Sequence, residues 1–214
     1  MVDPRRLHLY LVTDPVLCGP RGVPETCRVA LAAGVGTVQL RDKTASTRDL
    51  LRSAEALLEI CRRSGALFIV NDRLDVAMAS GADGVHLGQD DMPAGRAREL
   101  LGPGPVLGVS VRTVEEAVRA REDGADYLAA NLVFSTDTKT GLGHPLGIDG
   151  LRALRESTDL PLVAIGGLKA SNAGEVMAAG ADGIAVVSAI MASDDVPRAV
   201  AELIAALEEP GTTG

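Results

Sequence analysis

Aromatic residues are scarce in this 214-residue chain, which has two tyrosines, two phenylalanines and no tryptophan. Hydrophobic residues nevertheless make up 46% of the sequence, so alanine, valine, leucine and isoleucine must build the core. The 24 glycines supply many tight turns. A chain of this length is long enough for one well-buried domain in the size class of α/β barrels.

Positive charge is also scarce, because 21 lysines and arginines face 29 aspartates and glutamates and leave a formal net charge of −8. This balance argues against nucleic acid or an anionic membrane as a partner. An anion-binding site in such a chain must therefore be a local cluster of cations, or it must use a bridging divalent metal.

Cysteine is rare, and membrane-spanning runs are missing. Cys18, Cys27 and Cys61 are odd in number and lack the spacing of metal ligands, so we interpret them as reduced thiols. No apolar run is long enough for a membrane span, and none follows the arginine pair near the N-terminus. We expect a soluble cytoplasmic protein. The role of Cys18, in the loop after the first strand, stays open.

Short apolar runs alternate with amphipathic stretches along the chain. This order predicts parallel strands joined by right-handed helical crossovers. The predicted strands cover residues 7–12, 36–43, 67–70, 84–87, 106–109, 126–130, 161–165 and 184–187. The predicted helices cover residues 24–33, 50–61, 74–79, 93–101, 113–121, 148–156, 171–179 and 196–207.

A glycine-centred repeat supports this architecture, since each glycine follows a helix end and precedes a tight turn into a strand. The glycines are Gly34, Gly81, Gly124 and Gly180. Eight strands predict an α/β fold with a single (β/α)8 TIM barrel over residues 1–214, frayed from about residue 208. The competitor, a doubly wound open sheet, is weakened because no glycine-rich dinucleotide fingerprint follows the first strand.

Polar residues end most of the predicted strands. In a barrel these ends converge on one mouth, where active sites lie. The residues concerned are Gln39, Arg41, Lys43, Asn71, Asp72, Gln89, Asp90, Asp91, Ser110, Thr136, Thr138, Lys139, Gly166, Gly167 and Ser188. Because charge, amide or hydroxyl groups recur at the same end of successive strands, the pattern favours a functional mouth over ordinary solvated loops.

Gln39, Arg41 and Lys43 share one face of strand two, because side chains alternate along a strand. An amide, a guanidinium and an ammonium in a row indicate an anion site for phosphate, since buried cations need a counter-charge. The alternative is an edge strand whose polar face meets water.

Asp72 and Asp91 follow adjacent predicted strands and offer hard oxygen ligands. Such a pair suits Mg²⁺, especially when substrate phosphates complete its coordination shell. The alternative is that each aspartate caps a helix, because Asp72 precedes one predicted helix and Asp91 precedes another. We interpret Asp75 and Asp90 as surface groups or caps.

The Gly166–Gly167 turn and the Val187–Ser188 segment follow predicted strands seven and eight. Barrels often bind a phosphate at this place through backbone N–H groups and helix N-termini. A Gly-Gly turn alone is also common where a helix and a strand pack closely. Together with the Ser188 hydroxyl, the two segments favour a second anion site, opposite the cations of strand two.

The connection over residues 131–145 is long for a βα loop, and such loops often bind ligands. Thr136, Thr138 and Lys139 suit a leaving phosphate, and the alternative is a disordered surface loop. His86, within a strand, is interpreted as a hydrogen-bonded core imidazole. The sequence has no set of residues for nucleophilic catalysis.

The chain contains, in order, the motifs VQLRDK, FIVND, DGVHLGQDD, LGVS, STDTK, AIGG and ADGIAVVSAI. In this order and at this spacing they resemble the thiamine-phosphate synthase family, from Leu9 to the last predicted helix. The resemblance implies a Mg²⁺-dependent transferase with two small-molecule substrates. It would join 4-amino-2-methyl-5-hydroxymethylpyrimidine diphosphate to 4-methyl-5-(2-phosphoethyl)thiazole, giving thiamine phosphate and pyrophosphate.

By motif, the resemblance implies a role for each strand-end group. The pyrimidine and its diphosphate would face Gln39, Arg41, Lys43 and Asn71. Mg²⁺ would be held by Asp72 and Asp91, and pyrophosphate by Ser110 and Lys139. The groups acting on the reacting diphosphate would be Arg41, Lys43, Ser110 and Lys139. The thiazole phosphate would be held by Thr136, Thr138, Gly166, Gly167, Val187 and Ser188.

The loop departs from the family pattern, which usually has Gly-Pro in place of Asn131–Leu132 and Pro in place of Ser135. The departure bears on loop closure and substrate preference. The thiazole tautomerases share the fold but tend to lack the Gln-x-Arg-x-Lys and Asn-Asp combination, and they carry His at the position of Leu132. A non-catalytic phosphate-binding regulator is a further alternative, against which Asp72 and Asp91 argue. The sequence is compatible with a homo-oligomer.

Overall fold

The computed structural model describes residues 2–135 and 144–208. Eight parallel strands close into a barrel in sequence order. The strands are β1 Leu9–Val12, β2 Thr37–Leu40, β3 Leu67–Asn71, β4 Gly84–Leu87, β5 Val106–Val111, β6 Tyr127–Asn131, β7 Leu162–Ile165 and β8 Gly183–Val186. The helices are α1 Pro4–Leu7, α2 Val23–Ala32, α3 Thr47–Ser64, α4 Leu74–Ser80, α5 Ala94–Leu101, α6 Val114–Glu122, α7 Gly147–Ser157, α8 Ala170–Ala178, α9 Ser188–Met191 and α10 Val196–Glu208.

The predicted single (β/α)8 barrel is confirmed, and the open-sheet alternative is wrong. The sheet closes because β1 pairs in parallel with both β2 and β8. All eight predicted strands are present in the predicted order. The sequence patterns missed the short helices α1 and α9 and a 3-10 turn over Gly19–Arg21, because one turn of helix leaves too few residues for a periodic pattern.

At the mouth, β2 and β5 end two or more residues away from their predicted ends, while the other strands end within one residue of them. β2 ends at Leu40, so Arg41 and Lys43 lie in the loop beyond it. The ladder stops there because the Arg41 N–H donates to the Thr13 hydroxyl, at 2.9 Å, and not to a backbone carbonyl. The edge-strand alternative is also wrong, since a closed barrel has no edge and Gln39 is buried.

β5 continues beyond its predicted end at residue 109. It runs through Ser110 to Val111, because these residues pair with Ala129 and Ala130 of β6. Ser110 therefore sits on a strand, with its position set by the sheet ladder, and not in a loop.

Strand side chains alternate between two apolar layers. One layer fills the barrel interior and the other lies between the strands and the helices. In β1, for example, Tyr10 and Val12 belong to the interior cluster while Leu9 and Leu11 belong to the outer cluster. Both tyrosines of the chain belong to the interior layer, which is therefore partly polar.

The glycine repeat forms the turns at the amino ends of the strands, as predicted. The backbone φ angles are +120° at Gly34, +70° at Gly81, +86° at Gly124 and +100° at Gly180. These left-handed values favour glycine because a side chain would be strained there. The sequence patterns therefore located the turns between helix and strand correctly.

The three cysteines are unbonded thiols, as the sequence analysis interpreted them. Cys18, Cys27 and Cys61 are free and buried. Burial raises the pKa of the Cys61 thiol to about 12. Within the described residues, no helix is long and apolar enough to cross a membrane.

Candidate active site

A cavity of about 770 Å³ opens at the carboxyl ends of the strands. Its wall brings together eight of the residues that the sequence singled out near the strand ends. These are Gln39, Arg41, Asn71, Ser110, Gly166, Gly167, Val187 and Ser188. The volume is in the range of small-molecule sites, so the mouth can receive a ligand of substrate size.

Gln39 and Arg41 enter the cavity from β2 and the residue just after it. The Gln39 side chain is 5% exposed, and its Nε2 donates to the Tyr10 hydroxyl at 2.7 Å. The backbone at Arg41 is held through its N–H by the buried Thr13 hydroxyl. The amide is thus fixed within the barrel, while Arg41 lies on the cavity wall in the loop just beyond β2.

Lys43, Asp72 and Asp91 form a charged cluster, and none of the three is part of the cavity wall. The cluster adjoins the wall through the sequence, because Asp72 directly follows the lining residue Asn71. Lys43 Nζ lies 3.3 Å from Asp72 Oδ2. Asp91 Oδ2 accepts the Gly88 N–H at 2.7 Å. Burial raises the pKa of the Asp91 carboxyl and the nearby Asp72 carboxyl adds to the rise, while the Gly88 N–H and the Lys43 ammonium oppose it. Two carboxylates and a cation therefore share one small region.

The capping alternative for the two aspartates is wrong. The residue before α4 is Arg73 and the residue before α5 is Pro93, and neither helix start has a side-chain capping bond. Asp72 instead takes an unusual backbone conformation, with φ at +61°. Such strain persists only where the surroundings impose it, and it is frequent at functional sites. Asp90 is exposed, as expected, and Asp75 pairs with Arg73.

The donor set at this cluster is small. Among the described residues, no group of three or more His, Cys, Asp or Glu side chains could hold a metal ion. Asp72 and Asp91 offer hard carboxylate oxygens and leave other coordination positions to water or phosphate. This set fits the ligand preference of Mg²⁺, which usually keeps waters and binds through one or two carboxylates plus substrate phosphates.

Gly166 and Gly167 form the turn after β7 and support the chain that follows β6. A Cβ on Gly166 would lie 2.7 Å from the Leu132 Cα, and one on Gly167 would lie 2.5 Å from the Ser135 carbonyl oxygen. The Phe134 N–H also donates to the Gly166 carbonyl at 3.1 Å. The Gly-Gly turn therefore has a packing role in addition to its half-buried position on the cavity wall.

Lys169 was missed by the sequence analysis. It lines the cavity two residues after the Gly-Gly turn and is exposed. Its backbone N–H donates to Asn172 Oδ1 at the start of α8. Nothing in a single sequence marks a lysine as a cavity residue when it lies neither in a recognised motif nor at a strand end.

The loop after β6 takes an unusual path at Leu132. This buried residue has φ at +61°, and its carbonyl accepts the Leu146 N–H at 2.8 Å. Proline is confined to φ near −65°, so a proline at this position would require another backbone path. The predicted contacts at Thr136, Thr138 and Lys139 lie outside the described residues.

A chain of hydrogen bonds crosses the barrel interior below the mouth. The hydroxyls of Tyr10 and Tyr127 are 2.9 Å apart. His86 Nδ1 lies 2.9 Å from the Tyr127 hydroxyl, and His86 Nε2 lies 2.9 Å from Ser110 Oγ. The interpretation of His86 as a hydrogen-bonded core imidazole is confirmed. The tyrosines were missed, although they are the only ones in the chain and lie on apolar strands.

The loop after β1 forms another part of the wall that the sequence analysis missed. Asp14, Val16 and Leu17 line the cavity, and Asp14 Oδ1 accepts the N–H groups of the other two. Cys18 follows them but is not part of the wall; its Sγ donates to the Pro15 carbonyl. This contact gives Cys18 a structural place in the loop.

The profile of the family described as thiamine monophosphate synthase matches residues 9–190. The chain belongs to this family. The thiamine-phosphate synthase of Chloroflexus aurantiacus is 50% identical over 196 residues, which are 92% of this chain and 90% of the relative. That of Methanoculleus marisnigri is 50% identical over 195 residues, 91% of this chain and 92% of the relative.

Solved structures agree with membership of the thiamine monophosphate synthase family. A thiamine phosphate pyrophosphorylase from Pyrococcus furiosus has a TM-score of 0.88 and 44% identity, covering 96% of this chain and 97% of that one. A 3-hexulose-6-phosphate synthase, at 18% identity and a TM-score of 0.68, shares the fold alone. These relatives give no support to the tautomerase or the non-catalytic regulator.

Proposed function

We propose that this thiamine-phosphate synthase transfers the 4-amino-2-methylpyrimidin-5-ylmethyl group from its diphosphate to 4-methyl-5-(2-phosphoethyl)thiazole. The products are thiamine phosphate and pyrophosphate. The observation that carries the proposal is the Lys43, Asp72 and Asp91 cluster, which adjoins a cavity with Arg41 on its wall. Cations and two carboxylates at one place suit a diphosphate bound together with a metal, and they have no role in binding an uncharged ligand.

The pyrimidine diphosphate would bind on the side of β2 and β3. The amides of Gln39 and Asn71 line the cavity and can hydrogen-bond the pyrimidine ring. Arg41 offers a planar fork for phosphate oxygens and Lys43 a point charge. In this arrangement the ring lies inward and the diphosphate lies toward the mouth.

Asp72 and Asp91 would hold Mg²⁺ beside that diphosphate. When bound, the metal would offset negative charge on the departing diphosphate. Lys43, which contacts Asp72, would keep the region from becoming too negative for an anionic substrate. Ser110, at the end of β5, and Lys139, outside the described residues, would hold the pyrophosphate as it leaves.

The thiazole phosphate would bind on the opposite wall. Gly166–Gly167 and Val187–Ser188 line the cavity after β7 and β8, where barrels often bind phosphate, and their backbone N–H groups would be the donors. Thr136 and Thr138 would complete this site from the loop. Two anion sites on opposite walls suit two phosphorylated substrates.

The reaction breaks the bond between the pyrimidine methylene carbon and the diphosphate oxygen, and it forms a bond from the thiazole nitrogen to that carbon. The amino group of the pyrimidine can donate electrons toward the methylene carbon, so a cation-like path is favoured. The chain's residues bind and orient both substrates, and Arg41 and Lys43 stabilise the charge that develops on the diphosphate.

Buried free thiols support a reducing, cytosolic setting for this reaction.

Pyrophosphate release tests the proposal. We expect release only when both substrates and Mg²⁺ are present. Asp91→Asn should lower kcat/KM about 100-fold or more, because the amide keeps the contact to the Gly88 N–H but loses the charge. This variant is cleaner than a change at Asp72, which would leave Lys43 without its carboxylate.

Asp90→Asn is the matched control, because Asp90 is the exposed neighbour in the same turn. It removes the same charge one residue away and should keep kcat/KM within about twofold of the wild-type value. Equal losses in the two variants would contradict a specific role for Asp91. Folded wild-type protein that releases no pyrophosphate would overturn the proposed reaction itself.

A further inference from the structure

Five side chains form one continuous hydrogen-bonded chain across the barrel. Gln39 Nε2 donates to Tyr10 at 2.7 Å, and Tyr10 is 2.9 Å from Tyr127. Tyr127 is 2.9 Å from His86 Nδ1, and His86 Nε2 is 2.9 Å from Ser110 Oγ. Both ends of the chain, Gln39 and Ser110, line the cavity. The chain thus joins a group on β2 to a group on β5.

We propose that Tyr10, Tyr127 and His86 are positioning residues that set the orientation of the Gln39 amide and make Ser110 a hydrogen-bond donor toward the bound diphosphate. The proposal rests on the proposed function for the identity of the ligand. It adds a mechanism by which one hydrogen-bonded chain orients both the Gln39 amide on β2 and the Ser110 hydroxyl on β5.

The donor and acceptor groups of these side chains allow only one direction of donation along the hydrogen-bonded chain. An amide nitrogen only donates, so the Tyr10 oxygen accepts from Gln39. Among the residues that the structure describes, Tyr127 is the other hydrogen-bond partner of the Tyr10 hydroxyl. Tyr10 therefore donates its proton to Tyr127. Two protons cannot occupy the same oxygen–oxygen contact, so the Tyr127 proton must point to His86.

The direction then fixes the imidazole and the serine. His86 Nδ1 accepts from Tyr127, so a neutral ring carries its proton on Nε2. That N–H donates to Ser110 Oγ. Because the serine oxygen already accepts from His86, its own proton is available to a ligand in the cavity. An oxygen of the departing diphosphate is an acceptor of the required kind.

The surroundings hold this chain in place. Tyr10 and Tyr127 are at most 1% exposed, and burial raises the pKa of both phenols, so they remain neutral donors. Gly108, on β5, leaves room for the Tyr127 ring, since a Cβ there would lie 2.1 Å from the ring. A chain confined in this way has few alternative hydrogen-bond patterns.

The two tyrosines offer a direct measurement, because the protein has no others. With tyrosine labelled by ¹³C at the phenol carbon, the spectrum should contain two resonances, and Tyr10→Phe assigns them. Saturating pyrophosphate with Mg²⁺ should shift the Tyr127 resonance, since the ligand engages Ser110 at the end of the chain. Ser110→Ala should abolish that shift. A Tyr127 resonance that does not respond to pyrophosphate, once calorimetry has established saturation, would overturn the proposal.

Kinetic measurements on two variants distinguish the effect of the hydrogen-bonded chain at Ser110 from its effect at Gln39. Tyr127→Phe removes the donor to His86 and should lower kcat about tenfold, because the serine is no longer held as a donor. Tyr10→Phe leaves the Tyr127–His86 contact in place. It should mainly raise the KM for the pyrimidine diphosphate, about fivefold, through the freed Gln39 amide.

Thr37→Val is the matched control. Thr37 is fully buried on β2, and its hydroxyl donates to the Arg6 carbonyl at 2.7 Å, away from the chain. This variant should lose stability while keeping kcat and KM. If both tyrosine variants behave like Thr37→Val, with only stability reduced, the hydrogen-bonded chain has only a structural role and the inference fails. Product formation by the wild-type enzyme is measured in the same assay, so failure of the proposed function would be recognised separately.

Discussion

At the scale of single residues, Thr13 shows how a side chain outside the cavity wall can place one within it. Thr13 is fully buried, and its Oγ1 accepts the Arg41 N–H at 2.9 Å just beyond the end of β2. The Thr13 N–H also donates to the Gln39 carbonyl at 2.9 Å. One residue of β1's loop thus orients the backbone that carries two cavity residues.

Replacing Thr13 tests this role. Thr13→Val keeps the shape but removes the hydroxyl acceptor, so the Arg41 backbone should loosen. We expect the KM for the pyrimidine diphosphate to rise about fivefold, the effect of losing one hydrogen bond, with a smaller change in kcat. Thr13→Ser keeps the hydroxyl and should retain the wild-type KM. A Thr13→Val enzyme with unchanged KM would show that Arg41 is placed by other contacts.

Single residues also mark how far the sequence could be interpreted. Gln39, Arg41 and Ser110 were predicted at the mouth because every strand end of a parallel barrel meets there. Tyr10 and Tyr127 could not be paired in advance, since β1 and β6 are separated in sequence and their hydroxyls meet only across the closed barrel. Cross-barrel contacts depend on register and ring orientation, which alternation of side chains does not specify.

At the scale of elements, three aspartates connect the turns of the glycine repeat to neighbouring strands. Asp83, Asp126 and Asp182 each accept, through Oδ2, the backbone N–H of a residue on the preceding strand, at 2.8 to 2.9 Å. Each aspartate N–H also donates to the carbonyl of that same residue. The repeat predicted the glycine turns, but the role of the aspartate depends on the neighbouring strand and was not foreseen.

Asp182 shows what this connection contributes to stability. Its Oδ2 accepts both the Leu162 N–H and Arg155 Nη1, at 2.8 and 2.9 Å. Asp182→Ala should lower the free energy of unfolding by about 2 kcal/mol, because a partly buried arginine and a strand N–H lose their acceptor. Chemical denaturation with both spectroscopic and activity readouts measures the change.

The control for Asp182 is an exposed ion pair of the same type. Asp149 pairs with Arg152 at 3.2 Å on α7, and its side chain is fully exposed to solvent. Asp149→Ala should change the free energy of unfolding by less than about 0.5 kcal/mol, as is usual for surface pairs. Similar losses in the two variants would mean that charge, and not the connection between strands, accounts for the effect.

At the scale of the whole molecule, a net charge of −8 opposes the approach of two anionic substrates. Screening limits this repulsion to about 10 Å at 0.1 M salt, so charges near the mouth decide binding. Arg41 and Lys169 line the cavity and Lys43 adjoins it. From the composition we predicted that an anion site would need either a local cluster of cations or a bridging metal. The barrel brings cationic side chains and a pair of carboxylates to the same mouth.

Binding at this mouth should stabilise the whole barrel, because its ligands contact residues from several strands. Mg²⁺ and pyrophosphate together, at about 100 times their dissociation constant, should add about 2.7 kcal/mol and raise Tm by about 5–10 °C. Either alone should give less, since the metal lacks phosphate ligands and the anion lacks its counter-charge. Thermal unfolding followed by circular dichroism measures these shifts.

The aspartate variants decide whether this stabilisation passes through the proposed metal site. Asp91→Asn removes one of the two carboxylates, so the additional shift that Mg²⁺ gives over pyrophosphate alone should disappear. Asp90→Asn, with the same loss of charge on the exposed neighbour, should keep it. If Asp91→Asn retains the full Mg²⁺-dependent shift, the metal binds through other groups. The carboxylate pair would then act only by balancing Lys43, which contacts Asp72 at 3.3 Å.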